Sequence, residues 1–235
     1  MAPMFRAVQH DFFKYWSPEM AYVLGYFAAD GTMIRNNRGA HFIEFHSTDK
    51  RLVIDVKTVL RSEHHIGVRV PSEKYQNHKI AYRLQIGSKE MFADLRKLGF
   101  TQNKSNVIEF PTVPERYFGD FVRGYFDGDG NVYFKKHHVK DRKKTKWIFT
   151  SRFTCGSLIF LESLLKSLRA RGIHGGFITS KSGGSGYDLV LSHHDSVALF
   201  HLMYDTVPDG DLRLMRKYDL FRKALRTLYG EKMRP

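Results

Sequence analysis

The sequence predicts an α+β protein built from two pseudo-symmetric α-β-β-α-β-β-α repeats, each with a four-stranded antiparallel sheet. Three observations lead to this prediction. The heptapeptide Gly25–Gly31 recurs as Gly124–Gly130, with five of seven residues identical. After each copy, short strand-like runs and amphipathic helices follow in the same order. Finally, 42% hydrophobic residues in a chain of 235 residues are enough to bury a core.

The first repeat begins with a helix whose start is marked by Ser17 and Pro18. An apolar run then continues to Ala29, which predicts a buried helix. The elements expected next are strands at Thr32–Asn37 and His41–Thr48, a helix capped by Asp49, strands at Ile66–Pro71 and Lys79–Ile86, and a helix from Ser88 to Gly99.

The second repeat follows the same order after its heptapeptide. We expect the repeats to occupy residues 1–108 and 114–235, joined by a proline-flanked linker at 109–113. The expected elements are strands at Val132–His137 and Lys146–Thr154, a helix through Leu161–Leu168, strands at Ile173–Ser180 and Tyr187–Ser192, and helices at Ser196–Tyr204 and through Leu214–Leu228.

The composition excludes several classes of protein. The formal net charge of +14 favours a polyanionic partner such as nucleic acid, the alternative being an ordinary basic surface. The uncharged run between Glu19 and Asp30 is too short for the roughly twenty residues that span a bilayer, so no membrane partner is expected. Charged residues near the start interrupt any signal peptide. Cys155 is the only cysteine, which fits an intracellular, reducing compartment rather than secretion.

The positive charge is expected on one face of each sheet. In Lys79–Ile86 and Lys146–Thr154 apolar residues alternate with Lys, Arg, Gln or Thr. The hairpin Lys135–Lys146 adds seven Lys or Arg and one Asp. A solvated face would explain one such strand, whereas repetition in both halves favours phosphate binding. The predicted DNA-binding residues are Arg35, Arg38, Arg69, Lys79, Arg83, Gln85, Lys135, Lys136, Lys140, Arg142, Lys143, Lys144, Lys146, Arg152 and Lys181.

Small residues recur four positions apart in each heptapeptide, as Gly25 with Ala29 and as Gly124 with Gly128. A glycine inside a helix costs about 1 kcal/mol relative to alanine. Close approach of the two helix backbones would offset that cost. We therefore expect the two repeats to pack through these helices.

Each of these helices is expected to end on an aspartate, Asp30 or Asp129, followed by a glycine suited to a left-handed cap, Gly31 or Gly130. A carboxylate there faces the negative end of the helix dipole, at a cost of roughly 0.3–1 kcal/mol. If the helices pack together, both acids meet at one end of the interface and need a cation between them. Divalent cations with oxygen ligands suit such a pair.

The two copies with their flanks, Val23–Gly31 and Val122–Gly130, resemble the signature of the LAGLIDADG homing endonucleases of the single-chain, two-repeat type. The resemblance covers nearly the whole chain. It implies a monomer whose motif helices form a pseudo-twofold interface and whose saddle-shaped sheets straddle the DNA major groove. It also implies intron homing through a site-specific, staggered double-strand cut that leaves short 3′ overhangs.

The resemblance also implies the metal site. Asp30 and Asp129 would be the catalytic, metal-binding acids, helped by the carbonyls of Ala29 and Gly128. The implied cofactor is Mg²⁺. Mn²⁺ is expected to substitute for it, and Ca²⁺ to bind without supporting cleavage.

Other family positions have weaker matches. A basic residue of each repeat usually stands near the cut, and the best matches by place are Lys104 and Lys217. The position after the second strand, often Gln in relatives, is Asp49 in one repeat and Ser157 in the other. This departure leaves open which groups organise the attacking water.

Two other functions fit the same motifs. One is an RNA maturase that assists intron splicing, and the other is a DNA-binding relative that does not cleave. The presence of both motif acids argues against the second. The sequence does not separate the endonuclease from the maturase.

Overall fold

The structure, a computed structural model, describes residues 6–71, 79–102, 106–139, 144–208 and 210–230, and of residues 139 and 144 the backbone alone. These residues form seven α-helices and two four-stranded antiparallel sheets, so the predicted α+β class is confirmed. No helix in this part of the chain is long and apolar enough to cross a membrane.

The chain divides into two compact units. The first comprises Met1–Lys104 and Pro111–Gly128, and the second comprises Ser105–Phe110 and Asp129–Pro235. The first unit therefore contains both motif helices except for Asp129, the last residue of the second one. The predicted linker, residues 109–113, has no helix or strand.

The first unit combines one four-stranded sheet with four α-helices. Its elements are α1 (Pro18–Asp30), β1 (Gly31–Arg35), β2 (His41–Ser47), α2 (Lys50–Val59), β3 (Ile66–Arg69), β4 (Ala81–Gly87), α3 (Lys89–Lys97) and, after a 3₁₀ turn at Glu115–Tyr117, α4 (Phe118–Asp129). The strand order is β1-β2-β4-β3, with antiparallel neighbours throughout.

The second unit repeats this topology. Its elements are β5 (Gly130–Val139), β6 (Lys144–Cys155), α5 (Leu158–Arg169), β7 (Phe177–Ser180), β8 (Tyr187–Leu191), α6 (His193–Tyr204) and α7 (Met215–Tyr229). The strand order is β5-β6-β8-β7, again antiparallel throughout.

Local capping determines where three helices of the first unit begin. The side chains of Ser17, Asp49 and Ser88 each accept a hydrogen bond from a backbone N–H in the first turn of α1, α2 and α3. These bonds satisfy donors that have no partner inside the helix. All three predicted starts are confirmed.

Each unit has its own aromatic core. In the first, the rings of Phe45 and Phe100 pack edge-on against Phe27 of α1, at centroid distances of 5.4 and 5.6 Å. In the second, the ring of Phe149 packs edge-on against Phe221 of α7 at 5.9 Å. All five rings are buried, so each core covers one face of its sheet.

One strand is shorter than the sequence predicts. The strand expected over Ile173–Ser180 begins at Phe177. The N–H of Ile173 still bonds the carbonyl of Leu168 at the end of α5. Gly176 then has φ of +88°, which is incompatible with a strand.

Helices α1 and α4 pack with their backbones in direct contact. A Cβ at Gly25 would lie 2.0 Å from the carbonyl oxygen of Phe121. A Cβ at Gly124 would lie 1.9 Å from the carbonyl oxygen of Tyr22. Neither position has room for any side chain, so the predicted close approach of these helices is confirmed.

The prediction of a left-handed cap after each motif helix is wrong. Gly31 has φ of −86° and ψ of 154°, an extended conformation that opens β1 directly. Gly130 opens β5 in the same way and has no positive φ. Glycine is needed at position 31 for space, because a Cβ there would lie 2.2 Å from the ring of Phe27.

Replacing Gly25 by alanine is expected to lower the free energy of unfolding by about 1–3 kcal/mol or more. The added Cβ would meet the carbonyl of Phe121, which belongs to a helix backbone and cannot rotate away. Urea denaturation measures the change. Gly67→Ala is the matched control, because the nearest atom to its Cβ would be 3.7 Å away. A Gly25→Ala protein as stable as this control would contradict the helix contact.

Candidate functional site

The two motif acids are the last residues of the two motif helices. Asp30 ends α1 and Asp129 ends α4, and both are partly exposed. Neither helix has a basic residue in its last turn. The negative end of each helix dipole is therefore not offset by a Lys or Arg of the same helix, which favours a cation from outside.

The last turn of α4 approaches the carboxylate of Asp30 within the first unit. A Cβ at Gly128 would lie 2.4 Å from the Cβ of Ala29 and 3.3 Å from Oδ2 of Asp30. Because residue 128 has no side chain, the carboxylate oxygens of Asp30 can lie close to the backbone of α4. Such oxygens are hard ligands, so this donor set fits a divalent cation.

Side chains alone do not complete a metal site. No group of three or more His, Cys, Asp or Glu that could hold a metal ion occurs among the residues that the structure describes. A cation at the motif acids would therefore need main-chain carbonyls and oxygens of a bound partner as further ligands. A DNA phosphate supplies such oxygens.

Tyr26 anchors the last turn of α1 to β2. Its hydroxyl donates a hydrogen bond to the carbonyl oxygen of His46 at 2.5 Å. Burial raises the pKa of Tyr26 well above its usual value, and the negative charges of Asp30, Asp49 and Asp127 raise it further. The phenol therefore stays protonated at neutral pH and acts as a fixed donor one helical turn before the motif acid.

Buried polar groups also join α1 to α4. The hydroxyl of Tyr22 donates to Oδ2 of Asp127 at 2.8 Å, and both residues are buried. Arg123 is 2% exposed, pairs with Asp120 at 2.8 Å, and lies over the ring of Tyr22. Asp127 was not among the residues predicted from the sequence. Its difference from Ala28, the matching residue of the first copy, was the available signal.

The two residues that depart from the family pattern are both helix caps. Asp49 accepts a hydrogen bond from the N–H of Arg51 at the start of α2. Ser157 accepts one from the N–H of Phe160 at the start of α5, at 3.3 Å. Asp and Ser are strong N-cap residues, which gives both positions a structural reason for their side chain.

Of the two predicted basic residues, the structure describes one. Lys217 lies in the first turn of α7 and is only 4% exposed. A buried ammonium group requires a polar partner. Lys104 lies outside the described residues. Their placement near a scissile phosphate stays a prediction.

The outer face of the first sheet is the face opposite its buried apolar side chains. Glu44 is only 4% exposed on this face. It accepts a hydrogen bond from Gln85 at 2.5 Å, pairs with Nη1 of Arg83 at 3.5 Å, and lies 2.9 Å from Nε2 of His46. A cavity of about 390 Å³ beside this cluster is lined in part by Arg69, Arg83 and His46. Of the predicted basic residues of this sheet, Arg83 thus pairs with a buried carboxylate.

The outer face of the second sheet has the same character. Asp188 is 7% exposed and accepts hydrogen bonds from Nη1 of Arg152 at 3.1 Å and from the hydroxyl of Thr154 at 2.7 Å. By strand register, exposed Lys135 and Lys146 share this face with Arg152. Asp188 and Glu44 were not among the residues predicted from the sequence. Their position among the basic residues of alternating strands was the signal that could have found them.

Two predicted DNA-binding residues lie on the other side of their sheets. Lys136 pairs with Trp147, which stacks on the buried ring of Phe134 at 4.4 Å. Arg35 follows buried Met33 by two residues and so shares its face, at the exposed end of β1. The alternation of strand side chains separates both from the outer faces.

The remaining predicted DNA-binding residues lie in loops or outside the described chain. Arg38, Lys79 and Lys181 are exposed in loops beside strands. The residues Lys140, Arg142 and Lys143 lie outside the described residues, as does the side chain of Lys144.

Comparison with known proteins gives the class to which these features belong. A family model for the LAGLIDADG-like domain matches residues 17–98, which include the first heptapeptide and the whole sheet of the first unit. Residues 17–98 are therefore similar to a LAGLIDADG-like domain. The resemblance stated from the two heptapeptides is confirmed.

Solved structures of homing endonucleases share the fold along nearly the whole chain. The LAGLIDADG homing endonuclease I-SmaMI bound to cleaved DNA has a TM-score of 0.59 and 15% identity, over 91% of this chain and 90% of that chain. I-SmaMI bound to uncleaved target with calcium ions has a TM-score of 0.58 and 13% identity, over 94% and 95%. I-LtrWI bound to target DNA has a TM-score of 0.57 and 11% identity, over 93% and 91%. At these identities the likeness establishes the two-repeat fold.

A relative by sequence is an uncharacterised protein, MJ0398, of Methanocaldococcus jannaschii. It is 30% identical over 120 residues, which are 49% of this chain and 40% of the relative. The match thus spans less than half the length of that relative.

Replacing Tyr22 by phenylalanine is expected to lower the free energy of unfolding by about 1–3 kcal/mol. The change removes a buried donor to Asp127 and adds no atom that could clash. Chemical denaturation measures the effect. Tyr133→Phe is the control, because its hydroxyl bonds His137 at an exposed site. Equal losses of unfolding free energy in the two variants would show that the buried Tyr22 bond contributes no more stability than an exposed hydrogen bond.

Proposed function

We propose that the protein is a site-specific endonuclease that makes a divalent-metal-dependent, staggered cut in both strands of a long DNA target. The observation that carries the proposal is the carboxylate of Asp30 beside the last turn of α4, at Gly128. The shared fold of I-SmaMI and I-LtrWI, which were solved with DNA, supports it. We also propose that the protein acts as a monomer.

The motif acids are proposed to hold the cations. Asp30 and Asp129 supply carboxylates, and Ala29 and Gly128 supply carbonyl oxygens, a donor set suited to Mg²⁺. A divalent cation activates water for attack on phosphorus and neutralises charge on the leaving oxygen. The calcium-containing structure of I-SmaMI supports the use of divalent cations in this fold. Lys104 and Lys217 are proposed to stabilise charge on the phosphoryl group.

The surrounding residues hold the geometry that such a reaction needs. Catalytic groups must stay within about 0.5 Å of their productive positions. The bond from Tyr26 to the His46 carbonyl fixes the turn before Asp30. The backbone contact at Gly25 holds α1 close to α4, and the hydrogen bond from Tyr22 to Asp127 opposes a shift of α1 along α4. These restraints act on the helix end rather than on the substrate.

The outer faces of the sheets are proposed to bind the DNA. Arg83 and Arg152 are about half exposed there, beside the exposed lysines Lys135 and Lys146. Guanidinium and ammonium groups bind phosphates and release counterions from duplex DNA. Strand side chains that alternate between core and outer face would place these cations along one groove.

Asp30→Asn and Asp129→Asn are each expected to abolish cleavage while DNA affinity falls less than tenfold. Each change removes a ligand charge and keeps the shape of the side chain. The measurement is a gel assay on a duplex selected from a randomised library, with Mg²⁺ for cutting and Ca²⁺ for binding. Asp55→Asn is the control, since it removes the same charge from the surface of α2.

Normal cutting of both strands by either motif variant would overturn the metal assignment. A parent protein that binds structured RNA and cuts no duplex would overturn the endonuclease and favour the splicing role.

The DNA affinity of the parent protein is expected to fall by roughly 10³–10⁵ between 50 and 200 mM salt, as for proteins contacting six to ten phosphates. Replacing Lys135, Lys143, Lys144 and Lys146 by alanine is expected to flatten this salt dependence and weaken all sequences alike. Fluorescence anisotropy at several salt concentrations measures it.

The matched control for the hairpin removes four exposed lysines from helices, Lys89, Lys97, Lys166 and Lys223. It lowers the net charge equally. An equal change of slope in both sets would assign the effect to overall charge and remove the hairpin from the interface.

A further inference from the structure

Each outer face contains a buried carboxylate paired with a half-exposed arginine. Glu44 and Asp188 have side chains 6% and 9% exposed, whereas the side chains of Arg83 and Arg152 are each 51% exposed. A carboxylate on a surface that binds DNA repels phosphates. The presence of such a carboxylate in both sheets therefore indicates a function other than increasing the affinity for DNA.

Strand register shows that Glu44 of the first pair and Arg152 of the second pair occupy equivalent positions in their sheets. Phe45 of β2 and Phe153 of β6 each pair with the glycine that opens the first strand of its sheet. The residue before each phenylalanine is Glu44 in the first unit and Arg152 in the second. One backbone position thus carries opposite charges in the two units.

Arg83 and Asp188, the other members of the two pairs, also occupy equivalent positions. Leu84 of β4 and Leu189 of β8 pair with these same phenylalanines. The residue before each leucine is Arg83 in the first unit and Asp188 in the second. The two sheets therefore have the same diagonal ion pair with its charges exchanged between the strands.

The residue directly opposite each carboxylate on the neighbouring strand is neutral and also forms a hydrogen bond with that carboxylate. Gln85 faces Glu44 across the strands and donates to it, and Thr154 faces Asp188 and does the same. These bonds leave each carboxylate with a fixed orientation. In each pair the arginine contact goes through Nη1, so other donors of the guanidinium remain for a partner.

Holding an arginine in place matters most when it reads a base. A guanidinium that contacts a phosphate tolerates many positions, whereas two parallel bonds to the O6 and N7 of guanine require a fixed plane. A flexible arginine side chain loses rotamer freedom when it binds. A carboxylate that restrains it beforehand reduces that loss and opposes other rotamers.

From this geometry we propose that Glu44 and Asp188 are positioning residues that hold Arg83 and Arg152 to read guanine in the major groove. Because the charges are exchanged between equivalent strand positions, each arginine reads a different position of its own half-site. This inference rests on the proposed function, since it needs a duplex DNA partner.

The test compares base preferences of the parent with those of Glu44→Gln and Asp188→Asn, which keep the size of the side chain and remove its charge. The full chain is mixed with a randomised duplex library in Ca²⁺, and the bound duplexes are sequenced. For each variant, discrimination at one base-pair position is expected to fall from about 10- to 100-fold to nearly none. Preferences elsewhere and the salt dependence are expected to stay as in the parent.

An exchange variant gives a positive test. Glu44→Arg combined with Arg83→Asp gives the first sheet the arrangement of the second. It is expected to restore strong guanine discrimination at a different position of the half-site, whereas each single change loses discrimination. Asp55→Asn, which removes a carboxylate from α2, is the control and should keep the preferences of the parent.

The outcomes separate this inference from the proposed function. A parent that binds no duplex DNA overturns both. A selective parent whose preferences survive Glu44→Gln and Asp188→Asn overturns the positioning role alone. Uniform weakening of all sequences with a lowered melting temperature would assign the carboxylates a structural role. If the single variants fail to fold, a folded exchange variant without a shifted preference overturns the inference equally.

Discussion

The backbone contact between α1 and α4 is the constraint on which the rest of the first unit depends. Since Gly25 and Gly124 lack a Cβ, the two helices meet without a side chain between them that could rearrange. Helix α1 is buried along Met20–Ala28, on all of its sides. Any displacement of α1 would therefore disrupt packing contacts on every side of the helix. The same contacts restrain Asp30 at the end of the helix.

Close contact through small residues does not by itself fix how far one helix is shifted along the other. Residues four apart form a repeating groove, so a shift by one turn would keep much of the packing. The hydrogen bond from Tyr22 to Asp127 forms in one alignment only. The guanidinium of Arg123, which pairs with Asp120 of the same helix, lies over the ring of Tyr22 and adds a second contact between the helices. The polar groups of α4 thus fix the alignment of the two helices, and the glycines allow the helices to approach closely.

The sequence was most informative where structure depends on neighbours along the chain. The cap at Ser88 was predicted because its partner is three residues away. The contact of Tyr22 with Asp127 joins residues 105 positions apart, and no periodicity points to it. Gly31 was misread because its requirement is the space taken by Phe27, not its backbone angles. The metal-site residues were predicted from repetition, and their role remains a proposal.

The two sheets show how a duplicated unit can diverge without losing its fold. A diagonal pair of strand positions brings two long side chains within reach whichever of them carries the positive charge. Exchanging the signs, as between Glu44 with Arg83 and Arg152 with Asp188, preserves the attraction and moves the guanidinium to the neighbouring strand. The buried residues beside each pair stay apolar. The formal net charge of +14 therefore includes an ordered arrangement of acidic and basic residues on the sheets. This arrangement becomes visible only from the register of the strands.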